Sequence, residues 1–187
     1  MIPKMRLVDH AKKFIADSIL KGSICIDLTC GNGLDTLFLS ETTGEQGKVY
    51  SFDFQKEAVE KTKGLISRYQ SLATCEVFLN CHSKFSTRIP LSCKGKISAV
   101  MMNLGYLPGG DQQKTTNPET TEKALDSAYK WVRGDGVISV IAYQGHPGGK
   151  QENSVVQKLI KKNQWNYRTE FGNKKENSPI LYMIRKQ

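Results

Sequence analysis

The sequence predicts an α/β fold in which a mostly parallel seven-stranded sheet ends in an antiparallel hairpin. Three observations predict it. Strand-like and helix-like segments alternate as far as residue 163, and each parallel crossover needs such a helix. A glycine turn directly follows the first strand. The last two strand-like segments are joined by a short polar link, so they can pair directly as a hairpin.

Each element follows from its residue pattern. Residues 7–20 have helical spacing and predict an N-terminal helix extension, residues 1–22, ahead of the first strand. Short β-branched apolar runs predict strands, and apolar residues at helical spacing predict helices. The predicted strands are residues 23–28, 48–54, 74–80, 96–103, 135–143, 165–171 and 180–186. The later predicted helices are residues 33–41, 55–72, 117–132 and 151–163.

Length and composition bound the class of protein. The chain has 187 residues, 39% hydrophobic and 24% charged, which indicates a single folded domain, residues 1–187, with a substantial core. No apolar run reaches the length of a membrane span, and lysines near the N-terminus argue against a secretory signal. We therefore expect a cytoplasmic protein without a membrane partner.

The five cysteines are predicted to be structural thiols. They form no CxxC pair, and an odd number without an export signal fits a reducing compartment. We therefore expect no metal site.

The net charge of +9 is concentrated at the two ends of the chain. Residues 1–22 carry +3, residues 23–144 carry no net charge, and residues 145–187 carry +6. RNA would favour such ends through phosphate contacts, although any single lysine more often only solvates a helix face.

The turn after the first strand, DLTCGNG, is a candidate cofactor site. Gly31 and Gly33 lack a Cβ, so a ligand can approach the backbone there. Asp53 ends the second strand 20 residues after Gly33, where an acidic side chain can bind both hydroxyls of a ribose. Thr36 stands where a dinucleotide fingerprint has its third glycine, which disfavours a pyrophosphate.

Acidic residues flank this turn and indicate the kind of cofactor. Asp27 and Asp35 would repel phosphates but suit the ammonium group of S-adenosylmethionine. His82 and Ser83 follow the third strand, at the position where methyltransferases usually contact adenine. The pattern therefore predicts S-adenosyl-L-methionine as the cofactor.

The segment NLGYLPGGD, after the fourth strand, is the most informative in the chain. In amine and base methyltransferases an Asn or Asp at this strand end, followed by an aromatic residue, holds the acceptor nitrogen. We predict that Asn103 accepts a hydrogen bond from the amine and that Tyr106 packs on the base. The group that removes the amine proton stays open between Asp111, His146 and water.

Two further loops are expected at the same edge of the sheet, where ligands bind in open α/β folds. The first offers Lys114, Thr115 and Thr116 to phosphate or sugar, and YQGHPGG offers Tyr143 and His146 to a nucleobase. The predicted substrate-binding residues are Leu104, Gly105, Pro108, Gly109, Gly110, Lys114, Thr115, Tyr143, Gly145, His146 and Pro147.

Taken together, DLTCGNGLDTLFL, FDFQ, NLGYLPGGD, TTNPETT and YQGHPGG resemble a family of small methyltransferases formerly described as rRNA methylases. The resemblance implies a Rossmann-like class I S-adenosylmethionine-dependent methyltransferase fold. Characterised members look like tRNA methyltransferases that convert 5-aminomethyl-2-thiouridine at the wobble position to 5-methylaminomethyl-2-thiouridine. It implies that the acceptor loops contact the tRNA anticodon stem-loop, and it suggests a homodimer. The implied cofactor site contains Asn32, Asp35, Asp53, Gln55, His82 and Ser83.

Leu34 departs from the family pattern, because relatives often carry His there. Three other functions compete with tRNA methylation. The same chemistry with ribosomal RNA or a small-molecule amine is one, although a small molecule would not require the basic C-terminal segment. A non-catalytic RNA-binding module would predict a degenerate cofactor turn, yet that turn is intact. A nicotinamide-dependent oxidoreductase is disfavoured by Thr36 and the C-terminal hairpin.

Overall fold

The computed structural model describes residues 6–69, 72–173 and 177–187. Within these ranges the helices are α1 (Leu7–Ala16), α2 (Leu34–Thr43), α3 (Lys56–Ile66), α4 (Pro118–Trp131) and α5 (Gly149–Lys162). The strands are β1 (Ile24–Asp27), β2 (Lys48–Asp53), β3 (Thr74–Leu79), β4 (Ile97–Leu104), β5 (Val132–Ala142), β6 (Asn166–Phe171) and β7 (Ile180–Arg185). Two short 3₁₀ helices, His82–Thr87 and Leu91–Cys93, lie between β3 and β4.

The strands form one sheet in the order β3-β2-β1-β4-β5-β7-β6. Pairing is parallel from β3 through β5, and β7 lies antiparallel between β5 and β6. The predicted α/β fold with its C-terminal hairpin is confirmed. Because the chain order reverses between β1 and β4, a crevice opens at the carboxyl ends of these two strands.

Helices cover both faces of the sheet. On one face, α4, α5 and the 3₁₀ segment pack against buried side chains of the central strands. On the other, α1 and α2 pack against the opposite side of the same strands. None of the helices in the described ranges is long and apolar enough to cross a bilayer.

Local sequence sets the start of α4 and thereby one wall of the crevice. Asn117 is the N-cap, its side chain accepts a hydrogen bond from Thr120 N at 3.0 Å, and Pro118 opens the first turn. Ala124 and Leu125 are fully buried and anchor the helix on the sheet. The first turn of α4 is therefore fixed beside the carboxyl ends of the strands.

Several boundaries differ from the predicted ones. The first helix ends at Ala16 rather than at residue 20, and Leu20 is 71% exposed, so nothing packs the predicted last turn. Helix α3 ends at Ile66, and residues 70–71 of its predicted range lie outside the described residues. Strand β5 begins at Val132, because this β-branched residue is already extended immediately after α4.

Candidate functional site

A cavity of about 750 Å³ lies at the carboxyl ends of β1, β2, β4 and β5. Its volume suits a cofactor together with part of a second ligand. The sequence-predicted residues that line it are Gly31, Asn32, Asp35, Asp53, Gln55, His82, Asn103, Leu104, Gly105, Tyr106, Pro108, Gly109, Thr116, Tyr143, Gly145 and His146.

The remaining predicted site residues lie outside the cavity wall, and they are Asp27, Gly33, Thr36, Ser83, Gly110, Asp111, Lys114, Thr115 and Pro147. Asp111 is exposed, and its Oδ1 accepts the backbone N–H of Gln113 at 2.9 Å. Ser83 Oγ lies 3.1 Å from Cys81 Sγ. Asp111 therefore caps a turn, and the structure does not bring it to the predicted acceptor residues.

The glycine turn is held tightly between β1 and α2. Gly31 and Gly33 have φ angles of +50° and +85°, a region that favours glycine. A Cβ on Gly33 would lie only 3.0 Å from the Cα of Thr62, so no larger residue fits without displacing α3. Thr62 Oγ1 in turn donates to the carbonyl of Gly31 at 3.2 Å. The backbone of the turn is therefore open to a ligand on its cavity side only.

Asp53 organises the turn from the end of β2. Its Oδ2 accepts the backbone N–H of Gly31 at 3.1 Å, and its Oδ1 accepts that of Gln55 at 2.9 Å. Burial raises the pKa of Asp53, and these backbone hydrogen bonds oppose the shift by favouring the charged form. A carboxylate with remaining lone pairs faces the cavity and can accept two ribose hydroxyls.

Asp27 lies behind the turn and has no exposed surface. Its Oδ1 accepts the backbone N–H of Thr29 at 3.1 Å, and its Oδ2 accepts the hydroxyl of Thr36 at 2.7 Å. Burial, reinforced by the nearby charge of Asp35, raises the pKa of Asp27 to about 7. Asp27 therefore supports the turn from inside, and direct contact with a cofactor ammonium group is not its role in this geometry.

The pKa of Asp27 predicts a pH-dependent stability. The pKa of Asp27 in the folded protein is about 7, above its ordinary value of 3.8. The contribution of protonated Asp27 to the unfolding free energy is therefore fully present below pH 4 and is lost as the pH rises through 7. In Asp27→Asn the amide oxygen keeps the hydrogen bond from Thr29 N–H, and the amide nitrogen donates to Thr36 Oγ1, whose hydroxyl then donates to Ser51 Oγ, so no charge is buried. From pH 5 to pH 8, we expect the unfolding free energy of Asp27→Asn, relative to that of wild type, to rise by roughly 3 kcal/mol. Urea denaturation at both pH values measures it, and a difference independent of pH would contradict it.

His82 is buried, and burial lowers its pKa to about 4, so the imidazole is neutral at physiological pH. Its Nε2 lies 3.0 Å from Thr120 Oγ1, which itself donates to the carbonyl of Asn117 at 3.2 Å. Because a hydroxyl has one proton, Nε2 of His82 must carry the hydrogen of their shared bond. Nδ1 is left as an acceptor at the cavity wall, which suits the exocyclic amino group of adenine.

Asn103 joins the end of β4 to the cofactor turn. Its Nδ2 donates to Asp35 Oδ2 at 2.7 Å, while Asp35 Oδ1 lies 3.4 Å from Lys12 Nζ. Since a carboxylate only accepts hydrogen bonds, this contact fixes the orientation of the Asn103 amide. Its carbonyl Oδ1 therefore remains free to accept an N–H from a substrate.

The acceptor loop, residues 103–111, continues from Asn103 and is tied to the interior through Thr116. Thr116 Oγ1 accepts the backbone N–H of Gly105 at 2.9 Å and donates to Glu152 Oε2 at 2.8 Å. The other Glu152 oxygen accepts the hydroxyl of Thr121. Glu152 is 1% exposed, and burial raises its pKa. A buried carboxylate on α5 thus fixes the backbone two residues after Asn103.

Replacement of Thr116 tests this anchor. In Thr116→Val the shape is kept, but the Gly105 N–H and one Glu152 oxygen lose their partner. Leaving buried polar groups unpaired predicts a loss of about 3 kcal/mol in unfolding free energy. Thr116→Ser keeps the hydroxyl and is expected to lose less than ~1 kcal/mol. Denaturant titration of the two variants measures the difference, and equal losses would contradict the anchor.

The acceptor loop also covers the cofactor turn. Asn32 Nδ2 donates to the carbonyl of Pro108 at 3.3 Å. Leu107 is buried, and its Cδ1 would lie 3.4 Å from a Cβ built on Gly31. The two predicted sites, for cofactor and acceptor, are therefore halves of one enclosed cavity.

Apolar side chains surround the mouth of this cavity although they are exposed. They are Leu34, Phe54, Tyr106 and Tyr143, each 38% to 61% exposed. Exposed aromatic faces beside a cavity are suited to stacking on nucleobases. Burial, together with the charge of Asp35, raises the pKa of Tyr143, so its hydroxyl stays protonated as a hydrogen-bond donor.

His146 packs beneath the acceptor loop. Its Nδ1 lies 3.0 Å from the carbonyl of Pro147 and 3.3 Å from Thr115 Oγ1, and a carbonyl can only accept. Nδ1 therefore carries the proton, while Nε2 is buried with no hydrogen-bond partner among the described residues, 3.6 Å from a Cβ built on Gly105. The ring of His146 supports the acceptor loop, and the ring of Tyr106 packs edge-on against it with 6.2 Å between the two ring centroids.

Sequence reasoning missed several residues of this site. Lys12 lines the cavity from α1, and Arg6, directly before this helix, also lines it. Phe54 and Leu107 are among the other residues of the wall. Glu152 lies outside the wall but anchors it. Phe54 and Leu107 adjoin predicted residues and were detectable by position. No local signal shows that α1 reaches the cavity or that Glu152 faces inward, because both depend on helix packing.

Comparison with known proteins places these features in context. A family model described as "Putative rRNA methylase" matches residues 49–185. The tRNA (mnm(5)s(2)U34)-methyltransferase, chloroplastic, of Arabidopsis thaliana is 39% identical over 147 residues, which cover 74% of this chain and 53% of that protein. The chain therefore spans about half the length of this curated relative.

Two solved structures are similar over nearly their whole length. A crystal structure described as an rRNA-methylase from Clostridium thermocellum has a TM-score of 0.90 and 31% identity, and 100% of both chains is covered. A methyltransferase from Streptococcus mutans in complex with SAH has a TM-score of 0.82 and 28% identity, with 98% of this chain and 99% of that chain covered.

Proposed function

The chain belongs to the family described as "Putative rRNA methylase", and from that premise we propose that it N-methylates a modified uridine of tRNA. The methyl donor is S-adenosylmethionine. The acceptor is the primary amine of 5-aminomethyl-2-thiouridine at the wobble position of the anticodon, and the product is 5-methylaminomethyl-2-thiouridine. The name of the Arabidopsis relative supports the nucleoside and its position.

The observation that carries the proposal is the contact between Asn103 and Asp35. It joins an amide at the end of β4 to a carboxylate at the start of α2, across the border between the two halves of the cavity. An amide carbonyl and a carboxylate together form a site for a nitrogen with hydrogens to donate. Nothing in a purely RNA-binding surface requires this pair beside a cofactor turn.

The residues of the first half fit S-adenosylmethionine. Gly31 offers an open backbone, Asp53 offers carboxylate oxygens to a ribose, and His82 offers Nδ1 to an adenine amino group. When bound, S-adenosylmethionine supplies a methyl group on a positively charged sulfur. The role of the turn is to hold that methyl group toward Asn103.

The residues of the second half orient the amine. The carboxylate of Asp35 attracts a protonated amine into the cavity by opposite charge. Once the amine has released a proton to water, one of its remaining N–H groups donates to Asn103 Oδ1, which leaves its lone pair directed toward the cofactor half of the cavity. Methyl transfer is an in-line displacement, so orientation of the lone pair is the main contribution that the protein makes to the rate.

The rim of the cavity favours a nucleic acid over a small amine. Tyr106 and Tyr143 present partly exposed rings beside the acceptor position, where a flipped uracil can stack. The net charge of +6 on residues 145–187 adds attraction to phosphates. A free alkylamine would use neither feature.

A methylation assay tests the proposal. Purified protein is incubated with isotope-labelled S-adenosylmethionine and tRNA bearing 5-aminomethyl-2-thiouridine, and the digested nucleosides are separated by mass spectrometry. We expect labelled 5-methylaminomethyl-2-thiouridine. The same tRNA without the aminomethyl group is the matched substrate control.

Two outcomes would contradict this function. One is the absence of that product while the protein still binds S-adenosylhomocysteine by calorimetry. The other is label in ribosomal RNA or in a free amine while the modified tRNA stays unlabelled. In the second case the methyltransferase chemistry stands and the acceptor is wrong.

A further inference from the structure

Helix α5 carries a stripe of lysines that the site described above does not use. The helix contains four lysines and one glutamate, and the glutamate is buried. The lysines are all exposed and are Lys150, Lys158, Lys161 and Lys162, which we call the α5 stripe. From the helical repeat, the first three lie within about 80° of one another around the axis, and Lys162 lies about 40° further.

Several lysines on α3 and α4 lie in ion pairs with carboxylates of the same helix. On α3, Lys61 pairs with Glu57 at 2.7 Å, and on α4, Lys123 and Lys130 each pair with a carboxylate four residues earlier at 2.6 Å. Lys158, Lys161 and Lys162 have no ion pair among the residues that the structure describes. The exposed face of α5 is therefore purely basic.

Helix stability alone does not account for this stripe. Lysines in the last turn, such as Lys161 and Lys162, are favoured by the helix dipole. Lys158 lies before that turn, so the dipole does not account for its position. A charged partner that contacts this half of the helix explains Lys158, Lys161 and Lys162 together.

The stripe begins at the cavity. Gly145 and His146 line the cavity, and α5 starts at Gly149, so Lys150 lies only four residues after His146. At 1.5 Å per residue, Lys158 lies about 12 Å and Lys162 about 18 Å further along the helix. An RNA loop whose base enters the cavity must extend its stem over a neighbouring surface, and α5 offers a basic one.

We propose that the α5 stripe binds the phosphate backbone of the RNA stem whose loop base enters the cavity. The inference rests on the proposed function, since it takes the ligand at the cavity mouth to be an RNA hairpin. It assigns the stem to phosphate contacts without base contacts. The stripe therefore adds affinity for any hairpin and leaves selection of the nucleoside to the cavity.

The test compares two triple variants that remove the same charge. The stripe variant is Lys158→Ala, Lys161→Ala and Lys162→Ala, and the matched control is Lys61→Ala, Lys123→Ala and Lys130→Ala. Fluorescence anisotropy measures the Kd of a labelled RNA hairpin and of a single-stranded RNA with the loop sequence alone, over a series of salt concentrations. Calorimetry with S-adenosylhomocysteine and thermal melting check that both variants are folded.

For the stripe variant we expect hairpin binding to weaken roughly 10-fold to 100-fold, and the slope of log Kd against log salt to fall by about 2. The control variant and the single-stranded RNA are expected to change less than ~3-fold. Equal weakening in both variants, or an unchanged salt slope, would overturn the inference. So would unchanged hairpin binding accompanied by lost binding to phosphatidylglycerol vesicles, which would assign the stripe to a membrane.

This experiment is separable from the methylation assay. If the hairpin affinity responds as expected while no methylated nucleoside forms, the stripe stands as an RNA surface and the proposed reaction fails. If methylation proceeds and the stripe variant binds the hairpin as wild type does, the reaction stands and the placement of the stem is wrong.

Discussion

Asn103→Ala is expected to lower kcat for the modified tRNA by about 100-fold, because the amine loses the acceptor that aims its lone pair. The substitution also removes the 2.7 Å hydrogen bond to Asp35, which is then held by Lys12 alone among its described side-chain partners. Asp53, His82 and the glycine turn are untouched. The Kd for S-adenosylhomocysteine is therefore expected to change less than ~3-fold. Single-turnover kinetics and calorimetry measure the two quantities.

Asn80→Ala is the matched control for this substitution. The Asn80 amide donates to the carbonyl of Lys84 outside the cavity, so this variant removes the same groups without touching the site. It is expected to keep wild-type turnover. Equal loss of turnover and cofactor affinity in Asn103→Ala would contradict the role that we assign to Asn103, since the damage would then extend to the cofactor half.

Asp53→Ala is expected to show the opposite pattern. The variant loses the acceptor for the backbone N–H groups of Gly31 and Gln55 as well as the acceptor for ribose hydroxyls. Two charge-assisted hydrogen bonds of about 1.5 kcal/mol each predict a Kd for S-adenosylhomocysteine weaker by roughly 100-fold. At saturating cofactor, kcat is expected to stay within ~3-fold of wild type, because Asn103 and Asp35 are unchanged.

A graded series sharpens the test of Asp53. Asp53→Asn keeps one acceptor oxygen and is expected to lie between wild type and Asp53→Ala in cofactor affinity. Asp126→Ala, on the exposed face of α4, removes a carboxylate far from the cavity and serves as the control. A Kd that does not change in Asp53→Ala would rule out the proposed ribose contact.

The outline of the fold and the core of the site were predictable from sequence because both depend on local pattern. The strand ends carry Asp53 and Asn103, and parallel strands bring their carboxyl ends to one edge. Once the strands are identified, these residues must converge. The predicted fifth strand begins at residue 135, whereas pairing of Val132 with Ile97 of β4 extends the strand back to Val132.

The residues that sequence did not predict share one physical reason. Lys12 reaches Asp35 from a helix 23 residues earlier in the chain, and Glu152 reaches Thr116 from one 36 residues later. A lysine on an amphipathic helix and a glutamate in a first turn are both expected on the surface. Lys12 and Glu152 point toward the site because α1 and α5 pack on the sheet in this orientation.

The contact of the acceptor loop with the glycine turn predicts coupling between the cofactor and the RNA. Asn32 donates a hydrogen bond to the carbonyl of Pro108, and Leu107 packs over Gly31. A ligand that orders the glycine turn therefore also changes the free energy of ordering the acceptor loop. Thermodynamic linkage then makes the effect reciprocal. Whatever factor bound S-adenosylmethionine adds to the affinity for RNA, bound RNA adds the same factor to the affinity for S-adenosylmethionine. If the methylated RNA and S-adenosylhomocysteine weaken each other's binding, the same coupling promotes the release of both products.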